Sequence, residues 1–258
     1  MSSWIDVHTH LDKLEIPAEE GLRLAREVGV THVITIGTCP EDWPVVLGLS
    51  AKYSDQVYCT LGVHPHDAHL CTDAAERFLI ENLANERVVA VGEIGLDYFY
   101  KNNPREQQIA KFERQMEIAA EAKLPVEIHT RDAEEDTALV LRKFKGRVRG
   151  LLHCFTSSYD LAKTALDVGF HISISGVVTF KNAQDLRATV TKLPLDCLHV
   201  ETDAPFLAPI PHRGKKNQPA WVVPTAECVA GLKNVSLEKL SEQTRRNALD
   251  LFWRMKLS

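Results

Sequence analysis

Eight short runs of apolar, often β-branched residues alternate with helix-patterned segments along this chain, and that rhythm restricts the folds open to it more than any other feature. The runs fall at 4–8, 32–37, 57–63, 88–92, 125–129, 150–153, 170–175 and 197–201. HVITIG at 32–37 is nearly continuous in apolar character, as expected of a parallel strand covered on both faces. The intervening stretches 17–28, 41–51, 73–85, 132–143 and 159–167 read as helices, and another opens near Asn182 as its cap. The clearest helix start has Asn103 as cap, Pro104 at the first helical position and Glu106 closing a capping box. Ile109, Phe112, Met116 and Ala119 then form its buried stripe, and Pro125 prevents continuation. After the eighth run, 202–223 is Pro-rich and longer than a simple connection needs. A last helix capped by Ser236 presents Leu237, Leu240, Ala248, Leu251 and Phe252 for packing.

Length alone leaves two small domains or one large barrel open, since 258 residues at 45% hydrophobic content can bury either core. Eight strand–helix repeats select an α/β fold, a (β/α)8 TIM barrel formed as a single domain over residues 1–258. A formal charge of −5 argues against a surface that is one basic nucleic-acid footprint. Six widely spread cysteines without a CxxC pair point to free, buried thiols. The N-terminus lacks a basic segment followed by an apolar core, and no apolar run approaches the roughly 20 residues of a membrane span. The expectation is a soluble, cytoplasmic protein without membrane partners, its oligomeric state open and a monomer plausible.

Functional groups of such a barrel gather at the C-terminal ends of its strands. There the chain places His8 and His10 after the first run, His64 and His66 after the third and Glu93 after the fourth. His129 follows the fifth, His153 the sixth and Asp203 the eighth. Imidazoles with carboxylates are the ligand set of transition-metal ions, and residues two apart on a strand point the same way, so His8 and His10 can grip one ion. Each group alone has a plainer explanation. With eleven histidines, roughly half an H-x-H pair arises by chance; Glu93 suits an ion pair with Arg or Lys, and His129 and His153 suit hydrogen-bonded core positions. Together they do not, because histidines and acids converging on one axis without a cation would leave charge in a low-dielectric pocket.

The motifs DVHTHLD, GVHPHDA, GEIGLDYF, EIHTRDA, LLHCFTS, SISGVVTFKNA and ETDAPFL, in this order over most of the chain, resemble the TatD-type metal-dependent deoxyribonucleases. The resemblance implies a barrel of the wider amidohydrolase group holding two divalent metal ions (Mg²⁺, Mn²⁺ or Zn²⁺) and cleaving DNA, often from its 3′ end. Carried over, it assigns one ion to His8, His10, Glu93 and Asp203, and the second to Glu93, His129 and His153. Glu93 then bridges, a metal-activated water attacks phosphorus, and Asp203 accepts the proton. The chain departs from the pattern at Lys216, Asn217, Gln218 and Pro219, where many members read RNEP, and at Ser157, where glycine is usual.

His64 and Arg131 are expected to orient the substrate phosphate, the alternative for Arg131 being a pair with Asp132 or Asp136. Lys216 belongs with His212, Arg213 and Lys215 to a basic cluster that would guide a DNA backbone. Phe206 and Trp221 flank that loop as base-stacking candidates, with anchoring to the barrel the favoured expectation for Phe206. His66 and Asp97 read as loop architecture. The expected function is a 3′ to 5′ exodeoxyribonuclease. A metal-dependent amide or ester hydrolase is the nearest rival, although such two-metal sites commonly use a carboxylated lysine where this chain has Glu93. A non-catalytic binding scaffold would predict a lost ligand, and none is missing.

Overall fold

The computed structural model describes residues 2–100 and 102–256. Its strands are β1 (Trp4–Thr9), β2 (Val30–Gly37), β3 (Val57–Leu61), β4 (Val88–Asp97), β5 (Val126–Arg131), β6 (Gly150–Leu152), β7 (His171–Ile174) and β8 (Leu198–Val200). They pair in chain order, all in parallel, as one eight-stranded sheet. The helices α1 (Ala18–Glu27), α2 (Trp43–Lys52), α3 (Asp73–Asn82), α4 (Arg105–Ala122), α5 (Glu134–Lys143), α6 (Tyr159–Asp167) and α7 (Gln184–Lys192) follow the first seven strands in turn. Two more, α8 (Val222–Lys233) and α9 (Leu237–Leu251), complete the ring. This is the (β/α)8 barrel that the strand–helix rhythm implies.

The sheet closes between β8 and β1 through residues beyond the short β8 rather than by a full ladder. Thr9 and Ala204 form a parallel bridge, and the N–H groups of Asp203 and His10 donate to the carbonyls of His8 (2.9 Å) and Ala204 (2.7 Å). The buried Asp6 carboxylate accepts from the Thr202 N–H (2.9 Å) and hydroxyl (2.6 Å) across the same seam. Thus the segment carrying Asp203 is fastened to the strand carrying His8 and His10.

Strand residues such as Val33, Val91, Ile128 and Ile172 pack outward in a core shared with Phe112, Met116, Leu141 and Leu161 of the helices. A second cluster joins Ile5, Ile34, Tyr58 and Leu151 to Ala248, Leu251, Phe252 and Met255, so α9 and the residues after it cover the N-terminal end of the barrel. Fully burying Phe252 contributes about 1.5–3 kcal/mol, and the Ser236 hydroxyl, accepting from the Lys239 N–H, starts α9 as expected.

Several local expectations fail for identifiable reasons. Gly92 and Glu93 do not end β4, which runs on to Asp97, because its glycines serve close approach. A Cβ at Gly92 would lie 2.8 Å from the Glu127 Cβ, and one at Gly95, where φ is +138°, 2.0 Å from the His129 carbonyl oxygen. β5 likewise continues past His129 to Arg131. Asn103 caps no helix; its amide donates to the carbonyls of Pro65 (3.0 Å) and His66 (2.6 Å), and α4 starts after Pro104. Asn182 is exposed and α7 begins after Ala183 without a side-chain cap. Helix α8 has no N-cap side chain and buries Val222, Thr225, Ala226, Val229 and Ala230, so neither a start signal nor a polar stripe marks it in the sequence.

Candidate metal centre

Three strands, β1, β4 and β5, and the segments that follow β1, β6 and β8 bring the six expected ligands together. Glu93, 3% exposed, lies at the middle of the group. Its Oε2 stands 3.6 Å from His8 Nε2, and its Oε1 stands 3.1 Å from His129 Nδ1 and 2.8 Å from His153 Nε2. Asp203 Oδ1 stands 3.4 Å from His10 Nε2 and 3.8 Å from His8 Nε2. Asp203 reaches inward from a left-handed backbone conformation (φ +55°), a region Asp tolerates better than most residues. The two Glu93 oxygens therefore divide the cluster, with His8, His10 and Asp203 on one side and His129 and His153 on the other.

Outer hydrogen bonds decide which nitrogen of each ring faces inward. His8 Nδ1 meets Glu127 Oε2 at 2.8 Å, His153 Nδ1 meets Glu201 Oε1 at 3.3 Å, and His129 Nε2 meets Asp97 Oδ2 at 3.0 Å. Where these carboxyl oxygens accept, each outer nitrogen carries the proton and each inner nitrogen presents a lone pair; burial meanwhile raises the Glu127 carboxyl well above its usual range. His64 is wired the other way. Its Nδ1 accepts the His66 N–H at 3.1 Å, which leaves the proton on Nε2, 3.4 Å from Glu93 Oε1. His64 therefore donates into the site, although its ring lies close enough to Glu93 and His129 to share a coordination group with them.

This set of atoms fits divalent cations. Lone pairs of His129 Nδ1 and His153 Nε2, 3.4 Å apart, converge on a carboxylate oxygen, an arrangement that repels unless a proton or cation lies within it. His8 Nε2 is wholly buried and has no hydrogen-bond partner among the described residues. Burial alone lifts the Glu93 carboxyl, but His153 and His64 outweigh it and hold it well below the usual range. Burial also lowers His153 and His129, yet Glu93 with Glu201 raises the first, and Asp97 with Glu93 raises the second. The site thus draws positive charge to its centre. Burial pushes His64 down to about 4, in keeping with a neutral donor.

Around this centre lies a cavity of about 640 Å³ whose wall includes His64, His66, Arg131, Cys154, Thr156 and Phe206. Arg131 pairs with neither Asp132 nor Asp136; its guanidinium lies 3.8 Å over the Phe99 ring, while Asp136 takes Arg105 at 2.8 Å and the Tyr98 hydroxyl at 2.6 Å. Phe206 does not anchor its loop. It is 47% exposed and stands edge-on to His10. The expected basic cluster does not face the cavity as a unit. His212 stacks on Trp221 at 4.0 Å, Arg213 lies over Phe180 at 3.9 Å, and Lys216 is exposed and absent from the cavity wall. Asn217 locks the loop instead, donating to the carbonyls of Thr202 (2.8 Å) and Phe206 (2.7 Å).

The sequence reading left out Glu127 and Glu201 and gave Asp97 too small a part. The signal was present: Glu127 lies two residues before His129 on β5, Asp97 four after Glu93 on β4, and Glu201 two before Asp203 just past β8. The six cysteines are free, as expected, but only Cys59 and Cys71 are buried and the other four are half-buried; no described helix is long and apolar enough to cross a membrane.

Comparison with known proteins places the chain in a family. The family model described as TatD related DNase matches residues 5–253. The metal-dependent hydrolase YcfH of Escherichia coli, itself uncharacterized, is 41% identical over 96% of this chain and 95% of its own length. The uncharacterized metal-dependent hydrolase YabD of Bacillus subtilis is 37% identical over 96% and 98%. The crystal structure of YjjV, a TatD homologue of Escherichia coli K12, superposes with a TM-score of 0.91 at 30% identity, covering 96% of this chain and 97% of that one. With its histidine–carboxylate cluster at the C-terminal ends of a (β/α)8 barrel, the chain belongs to the TatD-related DNase family of metal-dependent hydrolases.

Proposed function

We propose that this protein is a deoxyribonuclease that hydrolyses DNA phosphodiester bonds from the 3′ end, using two divalent cations held on either side of Glu93. The observation that carries the reading is the division of the Glu93 oxygens, Oε2 towards His8 and Oε1 towards His129 and His153. His8, His10, Glu93 and Asp203 would hold one ion, and Glu93, His129 and His153 the other. When bound, such a pair supplies an attacking water of lowered pKa and neutralises charge developing on the phosphoryl oxygens.

The chain's own residues supply the remainder. Asp203 has Oδ1 turned to His10 and His8; its other oxygen is the base that takes the proton of the attacking water. His64, protonated on Nε2, donates to a phosphoryl oxygen at the centre. Arg131, at the cavity wall and steadied against Phe99, meets the phosphate with a charge-assisted hydrogen bond. Exposed Phe206 offers a ring face to the terminal base. A cavity of about 640 Å³ has room for a terminal nucleotide. Among the described residues the only lysine on its wall, Lys13, is bonded to Thr38 at 3.1 Å, and Glu93 would hold both ions where two-metal amidohydrolases commonly use a carboxylated lysine.

End-labelled single- and double-stranded DNA and RNA, incubated with Mg²⁺, Mn²⁺ or Zn²⁺, test the proposal. The expected result is a ladder shortening from the 3′ end of DNA that disappears with EDTA. Cleavage that persists without metal, or hydrolysis confined to amide or aminoacyl-ester substrates, overturns it.

A further inference from the structure

We infer that Glu127 is a positioning residue for the metal centre, fixing the proton of His8 on Nδ1 so that Nε2 faces inward as a lone pair. Glu127 occupies the inward phase of β5, where a strand covered on both faces would otherwise carry Val, Ile or Leu. It is fully buried, and its Oε2 lies 2.8 Å from His8 Nδ1. No other polar group meets that nitrogen among the described residues, whereas Glu201 divides its attention between His153 Nδ1 (3.3 Å) and the Cys154 N–H (2.7 Å). Control over His8 therefore rests on a single contact.

Room for this side chain is built into the neighbouring strand. The glycine at 92 faces Glu127, and a Cβ there would press to 2.8 Å of the Glu127 Cβ and 3.0 Å of its carbonyl oxygen. Glu127 Oε1 has no partner among the described residues. A buried carboxylate with one oxygen unpaired works against stability, and an apolar residue of similar volume would suit the strand better. Its place is explained by the metal centre rather than by packing. Without an acceptor on Nδ1, the imidazole proton is free to move to Nε2, and a protonated Nε2 cannot bind a cation. Among the described residues the ring would also lose its only hydrogen-bonded tether, leaving its stack on His153 (3.8 Å between centroids) to hold it.

The inference rests on His8 being a ligand, so three variants separate the two ideas. Mn²⁺ binding by titration calorimetry and thermal melting of the metal-free protein are measured for Glu127→Leu, Glu127→Gln and His8→Ala. Glu127→Leu should weaken Mn²⁺ binding by about 10–100-fold while the metal-free protein melts at the same temperature or higher. Glu127→Gln, whose amide oxygen still accepts from Nδ1, should bind Mn²⁺ within about threefold of the parent. Glu127→Leu with parental affinity overturns the inference, and so does a loss of affinity matched by a comparable fall in metal-free stability in both Glu127 variants. Parental binding by His8→Ala would instead overturn the ligand reading beneath it.

Discussion

At the C-terminal end of the barrel, His8 and His153 lie ring on ring with a carboxylate at the outer nitrogen of each. At the N-terminal end, His171 Nδ1 and His199 Nε2 stand 2.8 Å apart, and no carboxylate is among their hydrogen-bond partners in the described residues. Both pairs are buried; His171 and His199 lie on the neighbouring strands β7 and β8, whereas His8 lies on β1 and His153 directly after β6. In the lower pair one ring donates to the other and both remain neutral, since burial drives both pKa values down, His171 to about 4. In the upper pair the carboxylates occupy the protonated nitrogens and aim the lone pairs at a common centre. The residue type does not make a metal site; the carboxylates behind it do.

The strongest way to break this contrast is to remove the acid that unites the upper cluster. Glu93→Ala should lower metal affinity by more than the roughly 10²-fold upper range for outer hydrogen-bond partners, and take nuclease activity with it. Its metal-free melting temperature should fall while the fold persists, because Ala removes a carboxylate that His153 and His64 favour and leaves those rings buried without it. Elemental analysis after gel filtration provides the check: two ions per chain retained by Glu93→Ala would mean that Glu93 is no bridge.

The lower pair should respond to pH and be indifferent to metal. A histidine whose folded pKa lies below its unfolded value binds fewer protons when folded, so its contribution is fully present above about pH 6.5 and is lost as pH falls towards 4. For His171, dropping from 6.5 to about 4, the loss is about 3 kcal/mol over that window. Urea unfolding with EDTA at pH 7 and pH 4.5 should show the decline, and His171→Gln should flatten it with metal content unchanged. If His171→Gln altered metal binding, the two ends would not be independent.

Much of this contrast can be read in the sequence, though unevenly. Strand runs such as HVITIG and the order of His8, His10, Glu93, His129, His153 and Asp203 along them suffice to place the barrel and its site, because parallel strands align every C-terminal end on one face. Residues that act through another group are harder to find. Glu127 and Glu201 look like ordinary acids until β5 and β8 show which phase points inward. Asp97 reads as loop because the apolar run stops at Gly92, whereas Gly92 and Gly95 relieve crowding against Glu127 and His129 within a strand that continues. Arg131 has acids beside it in sequence, yet lies over Phe99 in the segment after β4, a contact that the pairing of β4 with β5 creates.

Asp97→Asn sharpens the comparison by weakening one carboxylate without emptying its place. Asp97 Oδ1 accepts the N–H groups of Phe99 and Tyr100, both at 2.9 Å, and an asparagine oxygen preserves these. The second oxygen, which receives His129 Nε2 (3.0 Å) and His66 Nε2 (2.9 Å), becomes an amide nitrogen that can only donate. His129 then loses the acceptor that sets its tautomer while the loop stays in place. Mn²⁺ titration should show affinity about tenfold weaker for one ion and near-parental for the other; equal weakening of both would mean that the loop itself had moved.

The smallest effect is expected at Lys216, which shares the upper face but lies outside the cavity wall. It is exposed, and at 0.15 M salt an exposed charge is screened beyond about 8 Å. Lys216→Ala should leave kcat and metal content unchanged and raise KM for single-stranded DNA by less than about twofold at that salt, the difference growing as salt is lowered. Arg131→Ala, removing a cation on the wall itself, should raise KM and lower kcat together at every salt concentration. The pair asks whether DNA is gripped by the cavity or by the charge of the whole face. Equal losses at 0.15 M salt would extend the functional surface well beyond the ring of carboxylate-backed histidines, and would make the contrast between the barrel's two ends one of surface charge as well as of buried hydrogen bonds.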